Sequence, residues 1–265
     1  MTEHSLAINR SRPIRRPKRR LLQIRKSKLV IAYLLILLVP YLATLSLNLD
    51  HKGFYSATLG FLNVVAMMAF FIQFPLAGRI KHLPMFSNID WSISRHKKAG
   101  KWLGLFFLLH PLLILAPRFL VSFDDGMSSV VEAITSPQLL TGIIAWLVMI
   151  LWVVLAIFKD RIRISYETWH LTHLLGFVFI CVLATLHITS VGRHGQFEAQ
   201  FNILWWALCA MAVGLVFYNQ LVKKTILKQK PYTLTGITRS SSRDWLLTLR
   251  NDSSHDFSFE AGQFI

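Results

Sequence analysis

Six long apolar segments dominate this sequence and leave few folds open to it. They cover residues 29–48, 57–78, 102–121, 138–158, 171–191 and 202–222. Each has about the 20 residues that an α-helix needs to cross a bilayer. Because lipid offers no hydrogen-bond partners, a single spanning segment must satisfy its own backbone, which predicts helices. The sequence therefore predicts an all-α membrane protein, a six-transmembrane-helix bundle whose main partner is the lipid bilayer.

The basic residues outside these segments predict the orientation of the bundle. Lys and Arg number 23 in the N-terminal tail, the connections after the second and fourth segments and residues 223–230, against 3 at the opposite ends of the segments: Lys52, Arg118 and Arg193. The positive-inside rule then places both termini in the cytoplasm. The first apolar run is long and no cleavage site follows it, so it is not a signal peptide. We expect a multi-pass protein of the cell (inner or plasma) membrane, with no nucleic-acid partner despite a net charge of +16.

The chain divides into three parts by composition. Residues 1–27 form a basic cytoplasmic tail, residues 28–222 form the transmembrane domain, and residues 223–265 form a linker and a different kind of unit. In that last part, Thr233–Thr238 and Trp245–Arg250 alternate as strands do. A few strands cannot close a barrel on their own. The sequence thus predicts the first strands of an incomplete antiparallel β-barrel, in a chain that is truncated or is a fragment of a longer one.

Three shorter features carry local predictions. The outer connection 122–136 is long enough for a surface helix. The tandem pair Trp205–Trp206 near the outer end of the sixth segment is typical of an interfacial aromatic belt. Cys181 and Cys209 lie within apolar segments without a C-x-x-C motif, so we expect buried small residues and not a disulfide.

Four histidines in the third and fifth segments form the most informative pattern. His96 and His110 are fourteen residues apart, and so are His173 and His187. Fourteen steps of about 100° fall about 40° short of four full turns, so both histidines of a segment point to nearly the same side. Along the axis they stand about 21 Å apart, most of the hydrocarbon thickness of about 30 Å.

The two histidine-bearing segments run in the same direction because both are odd-numbered. His96 then lies level with His173 near the cytoplasm, and His110 lies level with His187 near the outside. Ionisable residues at membrane depth are costly and usually functional. Two facing imidazoles at each level suit a haem held from both axial sides, which leaves no open position on the iron for a substrate. The pattern predicts two stacked b-type haems that relay electrons, with no catalytic residue in the chain.

Other residues near these positions leave alternatives open. His170 lies seventeen residues before His187, about 20° short of five turns, and competes with His173 as a ligand. His82 and His194 lie in connections. Four basic side chains near His96 either neutralise haem propionates or only reflect the excess of positive charge in cytoplasmic loops: Arg95, Lys97, Lys98 and Lys101. On the outer side, Arg193 with His194 would meet propionates or an anionic acceptor.

Small and aromatic residues share the histidine-bearing segments. Three small residues would make room for a flat macrocycle: Gly100, Gly104 and Ala184. Four phenylalanines lie at depths between the two levels: Phe106, Phe107, Phe177 and Phe179. They are interpreted as packing or lipid-facing residues, with an aromatic electron bridge as the alternative.

The segments SISRHKKAG…H at 92–110 and YETWHLTH…H at 166–187 resemble the ferric reductase-like transmembrane family, which includes NADPH oxidases and ferric-chelate reductases. The resemblance covers about residues 28–222 and implies that His96, His110, His173 and His187 are axial haem ligands. In that family a cytoplasmic unit that binds FAD and NAD(P)H follows the membrane domain. The end of the chain looks like the opening strands of that FAD barrel, and FEAGQF at 259–264 is similar to the strand before the flavin-binding motif.

The resemblance implies a transmembrane oxidoreductase. Electrons would pass from cytoplasmic reduced flavin or NAD(P)H through two haems to an outer acceptor, either a ferric chelate or dioxygen. No FAD or NAD(P)H ligand lies within this chain, so we expect both cofactors only in a longer form or from a flavoprotein donor. Two alternatives remain. One is a haem-binding membrane subunit that serves a separate periplasmic reductase, and the other is a cofactor-free transporter or scaffold whose histidines move protons.

Overall fold

Six membrane-spanning helices form the main body of the protein. The computed structural model describes residues 26–46, 53–77, 89–158, 161–162, 164–191, 199–228, 232–242 and 244–251. Within these residues, six helices are long and apolar enough to cross a membrane. They are α1 (Lys26–Ser46), α2 (Gly53–Ala77), α3 (Ile89–Phe119), α5 (Leu140–Phe158), α6 (Tyr166–Val191) and α7 (Ala199–Phe217). The predicted six-helix membrane fold is confirmed.

Helix α3 begins earlier than the apolar segment that predicted it. The apolar segment starts at residue 102, whereas α3 starts at Ile89 and includes the exposed side chains of Lys97 and Lys98. Hydropathy reports which residues enter lipid, but lysine and alanine are also good helix formers in water. His96 therefore lies inside a continuous helix and not at its first turn.

The connection between α3 and α5 contains the predicted surface helix, α4 (Phe123–Thr135). Ser122 caps it, because its Oγ accepts a hydrogen bond of 3.0 Å from the backbone N–H of Asp125. Asp124 and Asp125 in the first turn are favourable near the positive end of the helix dipole. A 3₁₀ turn, Pro137–Leu139, then leads into α5.

Helix α2 is the centre of the bundle. It is apolar on all sides, a pattern typical of a helix that is covered by others. In its apolar window 56% of residues are buried, against 6 to 22% in the other five helices. It packs on α1, α3 and α7. The outer helices leave many large apolar side chains exposed, as a surface that faces lipid requires.

The main core joins α2 to α5, α6 and α7. Trp205 is fully buried there, stacked on Phe71 with ring centres 6.0 Å apart. The predicted interfacial position is therefore wrong for Trp205. The next residue, Trp206, lies about 100° further round the helix and is 41% exposed. Adjacent residues on a helix face different surroundings, so a tandem pair cannot both be interfacial on one face.

The two cysteines join α6 and α7 inside this core. Cys181 and Cys209 are both buried free thiols with their sulfur atoms 3.8 Å apart. Thr185 donates its hydroxyl hydrogen to the backbone carbonyl of Cys181 at 2.7 Å. The prediction of buried cysteines within the apolar segments is confirmed.

A β-hairpin follows the membrane helices. Helix α7 continues through a π-helical turn (Tyr218–Val222) into the short helix α8 (Lys223–Lys228). Strands β1 (Tyr232–Arg239) and β2 (Trp245–Asn251) then pair antiparallel, with a bulge between Leu234 and Gly236. The two predicted strands are confirmed, and the third strand-like stretch, 259–265, lies outside the described residues.

Candidate functional site: two levels of paired histidines

His96 of α3 and His173 of α6 face each other at one level of the bundle. Their ring centres are 6.4 Å apart and the ring planes cross at 84°. Bonds from a metal to an imidazole nitrogen are about 2 Å long, so two imidazoles on opposite sides of one ion have ring centres about 6 Å apart. We name His96 and His173 the inner pair. Its spacing matches that of two axial ligands on one metal ion.

Aromatic rings surround the inner pair on the α6 side. His173 is half-buried, with Trp169 at 5.3 Å and Phe177 at 4.7 Å between ring centres. His170 is exposed and stacks on Tyr166 at 5.9 Å. The structure therefore places His173, and not its competitor His170, against His96.

Neither ring of the inner pair has a hydrogen-bond partner at Nδ1 among the described residues. The backbone carbonyl of Gln73 approaches the His96 ring without meeting hydrogen-bond geometry. On the same turn of α3, the guanidinium of Arg95 lies 5.7 Å from the ring centre of Trp91. The Nε atom of Arg95 is buried and has no partner in the described part of the chain. A half-buried cation with an unpartnered Nε donor is suited to an anionic group.

His110 of α3 and His187 of α6 form a second level, the outer pair. They are close enough to interact electrostatically. His110 Nδ1 lies 3.1 Å from Oδ1 of Asn63, which belongs to α2. The ring of His187 packs into a notch on α5, where an added Cβ at Gly142 would come within 2.5 Å of its Nδ1. The outer pair is thus held from both sides by neighbouring helices.

Helix α3 carries two extra hydrogen bonds near His110, and a proline explains one of them. Pro111 and Pro117 lack an N–H, so each leaves a carbonyl one turn earlier without its helical donor. For Pro117 that carbonyl belongs to Leu113, and the hydroxyl of Tyr55 donates to it at 2.6 Å. On the other side, Nε1 of Trp146 on α5 donates to the carbonyl of Leu108 at 3.2 Å. These contacts join α3 to α2 and α5 near His110, and neither of them touches its ring.

A chain of aromatic rings joins the two levels. Phe70 of α2 is buried at its centre, with Phe177 and Phe107 each 6.2 Å away between ring centres. Phe177 packs on the inner pair, and Phe106, next to Phe107, lies 6.3 Å from His110. Phe179 is half exposed and takes no part in this chain. The space between the levels is therefore filled by ring contacts from three helices.

The small residues predicted to make room for a macrocycle behave differently from one another. An added Cβ at Gly100 would meet nothing within 4 Å. At Gly104 it would come within 3.4 Å of Val153, so that glycine serves close packing of α3 on α5. Ala184 packs against the main core. His82, Arg193 and His194 lie outside the described residues.

In the part of the chain that the structure describes, the candidate metal ligands occur as pairs of histidines. Among the residues described, no three His, Cys, Asp or Glu side chains converge as metal ligands. Two imidazoles per level are the number that fills both axial positions of a six-coordinate haem. Only 6% of the residues in the apolar window of α3 are buried within the protein, which leaves surface for lipid or a bound apolar group.

Residues 59–184 match the family described as ferric reductase like transmembrane component. Over these residues the membrane unit is similar to the ferric reductase-like transmembrane family. This ferric reductase-like match runs from α2 into α6, covers just under half of the chain and includes His96, His110 and His173. His187 lies just beyond it. The match suggests a transmembrane oxidoreductase. The comparisons with curated proteins and with solved structures gave no match.

Sequence reasoning missed several residues of the ferric reductase-like unit that contact the histidines or lie between them. Asn63 is a polar residue in an otherwise apolar segment, and that anomaly alone was a signal that it has a partner. Gly142 and Phe70 carried no such signal, since glycine and phenylalanine are ordinary in membrane helices. Their roles depend on which helix lies opposite.

Proposed function

We propose that this chain is the membrane unit of an oxidoreductase that carries electrons from a cytoplasmic reduced flavin to an acceptor on the outer side. In this proposal His96 and His173 hold one b-type haem, and His110 and His187 hold a second. The observation that carries it is the inner pair, whose ring centres lie 6.4 Å apart on two neighbouring helices. Ferric chelate and dioxygen are the acceptors that the family resemblance suggests.

The side chains present fit such a group at both levels. Three of the four rings have a buried Nδ1 without a partner among the described residues, and the fourth directs its Nδ1 to Asn63. The packed rings around Phe177 and Phe70 keep water away from the space between the levels. When bound between paired imidazoles, a haem supplies one-electron redox chemistry with no open coordination position.

Basic residues at the inner level would neutralise the haem propionates. Arg95 is the strongest candidate, because its buried Nε is free of hydrogen bonds to the described residues and its position over Trp91 fixes it beside His96. Lys97, Lys98 and Lys101 are exposed. They serve better as contacts for anionic lipid headgroups at the cytoplasmic surface.

We also propose which membrane holds the bundle and on which side the two termini lie. Both termini lie in the cytoplasm of a cell whose inner or plasma membrane holds the bundle, as the distribution of Lys and Arg indicates. Residues 1–27 are a cytoplasmic tail and residues 28–222 the haem-binding domain. The β1–β2 hairpin within residues 223–265 is the first part of an FAD-binding barrel, so that the flavin approaches the inner pair from the cytoplasmic side.

Absorption spectroscopy of the purified full chain tests the proposal. Reduced-minus-oxidised spectra should show low-spin b-type haem with about two haems per chain. The His110→Leu variant should retain about one, because one level loses a ligand and the other keeps both. A colourless wild-type protein, or a His110→Leu protein that retains both haems, would contradict the assignment.

A further inference from the structure

Asn63 and His110 form a polar contact between two transmembrane helices. The Oδ1 atom of Asn63 lies 3.1 Å from His110 Nδ1, and both side chains are half-buried. Apolar residues surround Asn63 along α2, from Gly60 to Phe74, with Gln73 as the one other polar side chain. A polar side chain inside lipid is costly unless it is satisfied. The His110 ring is the partner that satisfies it.

The chemistry of this contact determines the tautomer of His110. A carbonyl oxygen can only accept a hydrogen bond, so an Oδ1 that faces Nδ1 requires the hydrogen on Nδ1. The neutral ring then carries its lone pair on Nε2. Nε2 is the nitrogen left available to bind a metal ion.

The other three histidines lack this arrangement. The Nδ1 atoms of His96, His173 and His187 have no hydrogen-bond partner among the described residues. A hydrogen bond from the second ring nitrogen orients a ligating imidazole and raises its basicity. Such hydrogen bonding is also a means by which proteins tune the potential of a haem. The difference therefore distinguishes one axial ligand from the other three.

We propose that Asn63 is a positioning residue for the outer level. It holds His110 in the Nδ1–H tautomer with Nε2 directed to iron. By accepting the hydrogen bond from Nδ1–H, it lowers the midpoint potential of the outer haem. The same hydrogen bond slows loss of that haem. This inference rests on the proposed function and adds to it a residue that sets the potential of one haem but not of the other.

The test uses the purified full chain and three variants. Asn63→Leu removes the acceptor at nearly constant volume, whereas Asn63→Asp offers a stronger acceptor in the same place. Tyr55→Phe is the matched control, because it removes a hydrogen bond of 2.6 Å from α2 to α3 without touching a histidine ring. Potentiometric titration of the haem absorbance gives both midpoint potentials, and the component missing in His110→Leu identifies the outer haem.

Asn63→Leu should raise the potential of the outer haem alone and speed its transfer to a haem scavenger such as apomyoglobin by about 10-fold or more. Asn63→Asp should lower the same potential, and Tyr55→Phe should leave both unchanged. Two haems with unaltered potentials in both Asn63 variants would overturn the inference and leave the proposed function standing. A shift shared by both haems, or reproduced by Tyr55→Phe, would also overturn it, since it would report helix packing. A wild-type protein without haem would instead refute the proposed function.

Discussion

The inner pair is held mainly by aromatic rings, whereas the outer pair is held by a hydrogen bond and a glycine notch. His173 lies between Trp169 and Phe177, and neither inner ring uses its Nδ1 among the described residues. His110 bonds to Asn63, and His187 packs on Gly142. Two histidine pairs with the same spacing in sequence are therefore held in position by different physical means.

The prolines of α3 contribute one contact to this difference. Pro111 and Pro117 both lie in the outer half of the helix, where they remove backbone donors and leave carbonyls that need partners. For Pro117 the replacement donor is the hydroxyl of Tyr55 on α2. The inner half of α3 contains no proline. The Asn63–His110 bond joins two side chains and does not depend on either proline.

Replacement of a histidine of the inner pair should have the largest effect on the amount of bound haem. His173→Leu leaves one imidazole at the inner level, so we expect about half of the bound haem to be lost and the outer haem to keep its potential. His170→Leu is the matched control, because that ring is exposed and stacks only on Tyr166. Haem per chain, measured against protein concentration, checks the prediction. Equal loss of haem in His173→Leu and His170→Leu would show that His173 has no special role at the inner level.

Truncation of Phe70 should affect both levels together. Phe70 is buried between Phe107 and Phe177, so Phe70→Ala should lower the free energy of unfolding by about 3–5 kcal/mol. Phe54 on the same helix is 88% exposed, and Phe54→Ala should change the free energy of unfolding by less than about 0.5 kcal/mol. Thermal unfolding in detergent, followed with haem release from each level, compares the two. If Phe70→Ala destabilised only one level, the proposal that Phe70 joins the two levels would be contradicted.

A substitution at Gly142 should disturb the outer level alone. An added Cβ there would come within 2.5 Å of His187 Nδ1, so the ring must move, at a cost of about 1–3 kcal/mol. Gly214→Ala is the control, since a Cβ at that position on α7 would meet nothing within 4 Å. If two haems are bound as proposed, electron paramagnetic resonance of the oxidised protein should resolve two low-spin signals. The Gly142→Ala spectrum should change in the outer signal only, and an equal change in the inner signal would contradict the assignment of His187.

Several features were predictable because they depend on local geometry. Apolar segments of spanning length identified all six membrane helices, and alternation identified β1 and β2. The fourteen-residue spacing placed both histidines of a helix on nearly one side, since helical rotation per residue is the same in every protein. The position of His173 beside His96 agrees with that arithmetic. Only the structure shows that His173 faces His96 while His170 is exposed.

Other features were not predictable because they depend on neighbouring helices. Trp205 and Trp206 are equivalent in composition, yet one is fully buried and the other is 41% exposed. The early start of α3 was hidden because lysine lowers hydropathy without weakening a helix. Gly104 lies beside the predicted haem position in sequence but packs on Val153.

The sequence by itself determined that this chain crosses a membrane six times and carries two matched pairs of imidazoles at two depths. Both follow from helix length and rotation, which are properties of a single segment. Only the tertiary structure decided that Asn63 bonds to His110, that Gly142 receives His187 and that Phe70 joins the two levels. Those contacts depend on how each helix is turned toward its neighbours, and packing among several helices sets that rotation.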